Sequence, residues 1–401
     1  MSCWQRTQMD AANHGRSVVP RVLVVLGTAA ASSRDILRGF MAAAQERNWE
    51  LFHYRPPIDL HRVMRELALD MAVLGPELSD ALIAGLPPES LVSVPMDRSR
   101  AGIASVCLDE GAVGELALQH MLDTGLREVS TVRLDDSPFA VLRERAFIES
   151  ARAREVRVVA GWDSEKFRLA RGEEDPSAIM AWLRGLHKPC GIFACTDFWA
   201  RAVARYALMA GFRVPEDLAI VGADNDVLEC ELMAPPLSSV VIPWQELGRI
   251  AASLVQRALC GQEIAGERLP VIPLSVHARR SSDILAIDDA LVAKAVRWIR
   301  AHAHERVTVP MVAGAVGGGR QRLERRFRGV LNRTVLEEVR RAHVEAAKQL
   351  LVTTAADLDE VAQRSGFATA ALLTAAFHRE VGMPPGRYRR RMRAARSSIN
   401  E

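Results

Sequence analysis

The feature that most constrains the fold of this chain is a change of rhythm near residue 282. Before it, short β-branched runs alternate with longer stretches of helical spacing: RVLVVL (21–26) precedes RDILRGFMAAAQERN (34–48), and WELFHY (49–54) precedes a helical pattern around RVMRELA. Further strand-like runs are MAVL (71–74), LVSVP (91–95), EVSTVR (128–133), VRVVA (156–160), CGIFA (190–194), LAIVG (218–222) and SVVI (239–242). Strands that alternate with helices of ten or more residues predict βαβ units and parallel sheets. About ten strands spread over roughly 260 residues suit two doubly wound lobes better than one sheet.

After SVHARRSS (275–282) no strand-like run follows. Spacing predicts helices near 289–302, 308–315, 319–330, 333–352, 357–364, 368–380 and 385–394, punctuated by Gly317 to Gly319, Gly366, Gly382, Pro384 and Pro385. The expected organisation is a tail over 1–19, a two-lobed α/β domain over 20–282, a linker DILAIDD over 283–289 and an all-α domain over 290–396. The net charge of +3 hides a division at the same boundary: from Ile284 onward 21 Lys and Arg face 12 Asp and Glu, whereas the preceding residues hold 31 against 37. The helical end is built to meet a polyanion.

With 49% apolar residues the chain can bury a large core. No apolar run approaches the roughly 20 residues that cross a bilayer, and the first twenty residues lack the apolar stretch of a secretory signal. A cytoplasmic protein with no membrane partner is expected. Cys3, Cys107, Cys190, Cys195, Cys230 and Cys260 form no C-x-x-C pair and no Cys/His cluster with zinc spacing, so reduced thiols, no metal site and no cofactor are expected. The chain has no G-x-S-x-G, Walker loop, H-E-x-x-H or paired-Gly dinucleotide fingerprint, which argues against an enzyme and leaves no catalytic residue to name.

Residues 308–330, TVPMVAGAVGGGRQRLERRFRGV, read as a short helix, a glycine turn and a second helix. Val312, Val316, Leu323 and Phe327 form the inner face, leaving Arg320, Gln321, Arg322, Glu324, Arg325 and Arg328 outside. A second such unit spans 357–382, with Val361 and Ala362 in its first helix, Gly366 at its turn, and Leu372, Leu373 and Phe377 as the inner face of its second. Two helices joined this way can set the second in the major groove of DNA. A single charge run is more often a solvated face, but two in this framework favour DNA. Arg320, Gln321, Glu324 and Arg325 are candidates for base edges, since Arg and Gln form bidentate pairs with guanine and adenine, and Arg322 and Arg328 for phosphates. Outward positions of the second unit are Thr369, Ala370, Ala371, Thr374, Ala375 and His378, so only Thr369, Thr374 and His378 offer polar contacts. The tail RYRRRMRAAR (387–396) reads equally as a phosphate clamp or a solvated terminus.

Leu323-Glu324-Arg325-Arg326-Phe327, the connecting helix VLEEVRRAHVEAAKQLL, the segment Asp359 to Phe367 with its D-E-V-A-x-x-x-G-F pattern, and F-x-R-x-x-G-x-x-P-x-x-Y-R from Phe377 to Arg389 together resemble the AraC family over about a hundred residues. The resemblance implies a double helix-turn-helix, a double-stranded DNA operator and, for an activator, RNA polymerase as a partner. Gly318 and Gly319 depart from the family, whose members commonly carry an apolar residue and a serine cap there; glycine caps less well and fills no core.

ACTDFWARAVARYALMAGFRVPEDLAIVGADN (194–225) and PPLSSVVIPWQELGRIAASLV (235–255), preceded in order by CLDEGAVGELALQHMLDTG (107–125) and LRERAF (142–147), resemble the sugar-sensing domain of LacI-type regulators, itself built like periplasmic sugar-binding proteins. In doubly wound sheets ligands bind outside the carboxyl ends of strands, and between two lobes they meet polar groups from both. Motif position then implies Arg143, Thr196, Asp197, Asp224 and Asn225 as sugar contacts, with Arg34 and Asp109 as further candidates. Asp109 reads equally as a turn or helix-cap aspartate. Trp162 and Trp244 sit where an aromatic face could cover a pyranose, or where tryptophan simply packs in a core. The domain order, and VHARRSSDILAIDDALVAKAVRWIRAHA (276–303) at the junction, resemble the xylose-operon regulators. A homodimeric activator controlled by xylose or another monosaccharide is implied. The competing expectation is a solute-binding or carbohydrate-processing protein whose basic domain serves another partner.

Overall fold

The structure, a computed structural model, describes residues 19–94, 102–133, 135–162, 176–284, 287 and 289–390. Its described residues form two compact units, one of 19–110 with Ile242–Pro273, the other of Gly111–Val241 with 274–390.

The first unit is built on β1 (Arg21–Val25), β2 (Glu50–Tyr54), β3 (Met71–Leu74), β4 (Leu91–Ser93), β5 (Ala104–Leu108) and β11 (Arg268–Val271), in the order β11-β5-β4-β3-β1-β2. All five pairings are parallel. β3, β4 and β5 are buried along their whole length, as strands covered on both faces must be. The covering helices are α1 (Ala31–Glu46), α2 (Leu60–Glu66), α3 (Asp80–Ile83) and α9 (Trp244–Leu259). α1 and α9 bury Ile36, Phe40, Leu247, Ala251 and Val255.

The second unit carries β6 (Glu128–Val132), β7 (Arg157–Val158), β8 (Cys190–Ala194), β9 (Leu218–Asp224), β10 (Ser238–Val241) and β12 (Ser275–His277), in the order β12-β10-β9-β8-β6-β7. Its helices are α4 (Glu110–Asp123), α5 (Pro138–Ala153), α6 (Pro176–Gly185), α7 (Asp197–Met209) and α8 (Val227–Glu231). The sheet is parallel except that β12 runs antiparallel to β10, with Val240 opposite Val276. Apart from that one edge pair, both sheets are parallel, as the alternation of strands and helices predicts. Three strands also lack a sequence signal: β5 opens on Ala and Ser, β11 contains Pro270, and β12 is too short to show a period. Proline removes a ladder donor, and β11 accordingly lies at a sheet edge.

The remainder of this unit is helical: α10 (Ala290–Ala301), α11 (Val309–Val316), α12 (Arg320–Leu331), α13 (Val335–Thr353), α14 (Leu358–Arg364), α15 (Ala370–Val381) and α16 (385–390). Residues 391–396 of the basic tail lie outside the described residues. The helices start where side chains can satisfy their first N–H groups. Asp289 accepts from the N–H of Leu291 and Val292, Thr334 and Glu337 form a capping box on α13, and Asp357 caps α14. α13 is shared between two cores. Its Val335 and Val339 pack with Val292, Val296, Val312, Leu323 and Phe327, and its Val344, Ala347 and Leu351 with Val361, Leu373, Phe377 and Tyr388.

The second of these cores also takes in Val241 and Leu274 from the edge of the α/β sheet. Beside it, Asp123 at the end of α4 accepts from Arg333 Nη1 at 3.1 Å and pairs with Arg341 of α13, while Arg333 Nε donates to Glu338 at 2.7 Å. The helical domain is thus seated on α/β elements of its own unit through both apolar and charged contacts. Among the described residues no helix is long and apolar enough to cross a membrane.

Candidate nucleic-acid interface and effector site

α11 ends at Gly317 in the left-handed conformation (φ 75°), and α12 follows with Gly319 at its N-cap and no side-chain cap bond. Arg320, Gln321, Arg322, Arg325 and Arg328 are exposed on α12. Glu324 is half-buried, with Oε2 enclosed and without a hydrogen-bond partner. Arg326 turns inward and donates to Asp289 at 2.9 Å, so the recognition helix is tied to the cap of α10.

In the second helix-turn-helix, Gly366 (φ 76°) is required sterically: a Cβ there would lie 2.4 Å from the Glu305 carbonyl oxygen and 2.6 Å from His343 Nε2. Burial also holds the His343 imidazole below its usual range. α15 is capped by Thr369, which accepts from Leu372 N–H at 3.2 Å. The buried pairs Leu323/Phe327 and Leu373/Phe377 have the same i, i+4 spacing and put the two recognition helices in register. Gln321 then corresponds to Ala371, Arg322 to Leu372, Arg325 to Ala375 and Arg328 to His378. Leu372, expected on the inner face, is 55% exposed; Leu373 occupies the core alone at that turn. Thr374 is half-buried and His378 exposed. At Arg322/Leu372 and Arg325/Ala375 one helix therefore presents a cation where the other presents an alkyl group.

The effector candidates separate between the units. Arg143, Trp162, Thr196, Asp197, Asp224 and Asn225 belong to the second, Arg34, Asp109 and Trp244 to the first. In the second, Asp224 ends β9 and the Thr196-Asp197 pair links β8 to α7. Arg143, on α5 and 2% exposed, donates through Nη1 to the Cys195 carbonyl at 2.7 Å and to Asp224 Oδ1 at 3.1 Å. Its guanidinium carbon lies 5.0 Å from the centroid of the Phe139 ring. Asp197 is 1% exposed; Oδ2 accepts from Asp226 N–H at 2.7 Å, while Oδ1 has no partner. A Cβ on Gly222 would fall 2.2 Å from that Oδ1, so only glycine leaves the carboxylate room. Burial, and then the neighbouring Asp224, push the Asp197 carboxyl well above its usual range. Burial raises Asp224 too, against the opposing pull of Arg143.

Asp224 and Asn225 both hold positive φ, 107° and 53°, strained for residues with a Cβ. Asn225 N–H donates to Ser239 Oγ at 2.9 Å, and its Oδ1 accepts from Arg279 Nη1 at 3.0 Å. Thr196 caps α7 by accepting from Trp199 N–H. Trp162 is buried among Val132, Leu183 and Ile192, tilted against Trp182 at 5.9 Å, with Nε1 unpartnered. In the first unit, Arg34 donates to the carbonyls of Thr28 and Ala29, Asp109 is exposed beside β5, and Trp244 is buried at the start of α9 with Nε1 unpartnered. The sequence reading missed Arg279 and Gly222. Gly222 had a signal in its G-x-D-N motif; Arg279 lay in a polar junction with no periodicity to mark its direction.

Residues 118–282 match the family model described as a periplasmic binding protein-like domain, and residues 312–391 match that of a helix-turn-helix domain. The xylose operon regulatory proteins of Haemophilus influenzae and Escherichia coli K12 are 28% and 29% identical over 287 residues, which is 71% of this chain and 74% and 73% of theirs. A solved xylose-binding transcription activator matches at 26% identity with a TM-score of 0.58, over 92% of this chain and 97% of that one. The chain is a DNA-binding transcription regulator. The regulator joins its helix-turn-helix domain to a periplasmic-binding-protein-like domain that precedes it in the chain. No three His, Cys, Asp or Glu side chains converge as a metal site among the regulator's described residues. Burial pushes its Cys190 and Cys195 thiols up to about 12, far from thiolate reactivity.

Proposed function

We propose that this regulator is a sugar-controlled activator whose effector is D-xylose or a closely related monosaccharide. The observation that carries the reading is the Arg143, Asp197 and Asp224 cluster at the strand ends of the second sheet. It combines the buried Arg143 cation with the Asp224 carboxylate, which stays partly open at the strand end and can accept from a sugar hydroxyl. The names of the two relatives and of the solved activator support the choice of sugar. Asn225 and Thr196 add polar groups, Trp162 an aromatic wall, and Arg34, Asp109 and Trp244 are the candidates from the first unit.

DNA is met by the 290–396 domain, joined through 283–289 to the 20–282 sensing domain. Arg320, Gln321, Glu324 and Arg325 read bases, Arg322 and Arg328 hold phosphates, and Thr369, Thr374 and His378 supply the few polar contacts of the second unit. The active species is a cytoplasmic homodimer on two half-sites that recruits RNA polymerase, and sugar shifts its equilibrium between two arrangements. A thermal-shift screen over pentoses and hexoses tests this. A ligand at 100 times its dissociation constant adds about 2.7 kcal/mol of stability. D-xylose or a near relative should stand out from the panel, and equal operator affinity and promoter output with and without every sugar would defeat the reading.

A further inference from the structure

The segment that leaves the α/β domain is bonded to the effector cluster through the side chain of Arg279. Arg279 is 10% exposed. Its Nη1 donates both to Asn225 Oδ1 at 3.0 Å and to the Leu237 carbonyl at 2.9 Å, and its Nε donates to Glu231 at 3.0 Å. Its backbone is held as well, with Arg279 N–H donating to Ser238 Oγ at 2.8 Å. The next residues continue the same fabric. Ser281 Oγ donates to the Ile220 carbonyl of β9, Ser238 N–H donates to Ser281 Oγ at 2.8 Å, and Ser282 Oγ lies 2.7 Å from both Ser238 Oγ and His120 Nε2. Asp289, the cap of α10, accepts from Arg326 of the first recognition helix at 2.9 Å.

We propose that Arg279 is the positioning residue through which occupancy of the effector site at Asn225 reaches the junction and, through it, the DNA-binding helices. The proposal rests on the effector reading above. Asn225 sits in strained backbone, and its side-chain oxygen is the acceptor for Arg279; a sugar hydroxyl competing for that oxygen changes what Arg279 holds. Ser238, Ser281 and Ser282 then carry the altered geometry, because short hydroxyls with two or more partners each leave little slack. Contiguity by itself is not coupling, so the test measures coupling directly.

The experiment uses the full chain, D-xylose as the probe, and a duplex selected from a random pool by the wild-type protein. Xylose binding is measured by calorimetry and operator affinity by fluorescence anisotropy, with and without saturating xylose. Wild type should show a xylose-dependent change in operator affinity within the range of about 5- to 150-fold usual for allosteric proteins. Arg279→Gln should still bind xylose while that factor falls below about threefold; Arg279→Lys, which keeps one charged donor, should be intermediate and serves if the glutamine variant does not fold. Glu231→Gln removes only the exposed partner and should leave the factor unchanged. A wild-type factor in Arg279→Gln overturns the proposal, as does an equal loss in Glu231→Gln. Complete loss of xylose binding by a folded Arg279→Gln also overturns it, since Arg279 would then build the site rather than report on it. Absence of xylose binding by the wild type shows instead that the effector reading has failed, and the proposal falls with it.

Discussion

Asp197 is held at a cost. Its carboxylate is out of water, its Oδ1 has no partner, and the nearby Asp224 opposes its charge. A carboxyl raised in this way stabilises the fold below its unfolded value and loses that contribution as pH rises through the folded one. Asp197→Asn keeps an oxygen for Asp226 N–H and removes the charge. It should raise the melting temperature of the sugar-free protein at pH 7.5, by about 1 kcal/mol of stability, and weaken sugar binding tenfold or more in calorimetry. Unchanged affinity would remove Asp197 from the site. The G-x-D-N and Thr-Asp patterns made Asp197 and Asp224 legible in the sequence, because each follows a strand whose apolar run is unmistakable. Arg143 was legible only through family position, and Arg279 not at all: a guanidinium sits at the end of a long side chain, and nothing in a polar stretch tells which way it points.

The two recognition helices share one packing scheme and differ in what they show to solvent. α12 presents five exposed cationic or amide side chains, whereas α15 presents alanines, Leu372 and His378, with Arg379 and Glu380 only in its last turn. Arg325→Ala should cost about 1–3 kcal/mol and relax preference at one base pair, measured by binding across single-substitution operators. Arg328→Ala should instead weaken all sequences alike and lower the salt slope by about 1. Exchange of those two signatures would exchange the roles. Helix starts were readable within one or two residues, since Asp289, Thr334, Asp357 and Thr369 are capping residues. Leu372 was misassigned because two adjacent leucines satisfy helical spacing equally well, and only packing against α13 and α14 selects Leu373. The missed strands are short or carry Pro270, so their identity comes from neighbours rather than from their own pattern.

Across the second unit, the α/β sheet and the helical domain meet around α4. His120 stands there half-buried, its Nε2 2.7 Å from Ser282 Oγ, with Glu345, Arg300, Lys348 and Arg341 of the helical domain acting on it. Burial lowers its imidazole to about 4. A base depressed in the folded state contributes stability above its ordinary value near 6.5 and loses it as pH falls toward the folded one. Unfolding followed between pH 7 and 4 should lose up to about 3 kcal/mol more in wild type than in His120→Gln. Equal slopes would show that His120 is not the group responsible. Asp123→Ala, which leaves Arg333 and Arg341 facing each other without their shared carboxylate, should cost about 2 kcal/mol in denaturant unfolding at neutral pH.

The core that α13, α14 and α15 share with Val241 and Leu274 bears on how far the two halves of this protein can be traded as parts. Helix-turn-helix domains are often treated as cassettes that can be cut out and grafted. Here the cut would fall through a packed seam, leaving an oily face around Leu351 and Phe377 open to water and Arg333 and Arg341 without the Asp123 carboxylate they share. A graft onto another sensor would have to bring its own lid for that face, so in this lineage sensor and reader must change together, each mutation on one side judged by its fit to the other.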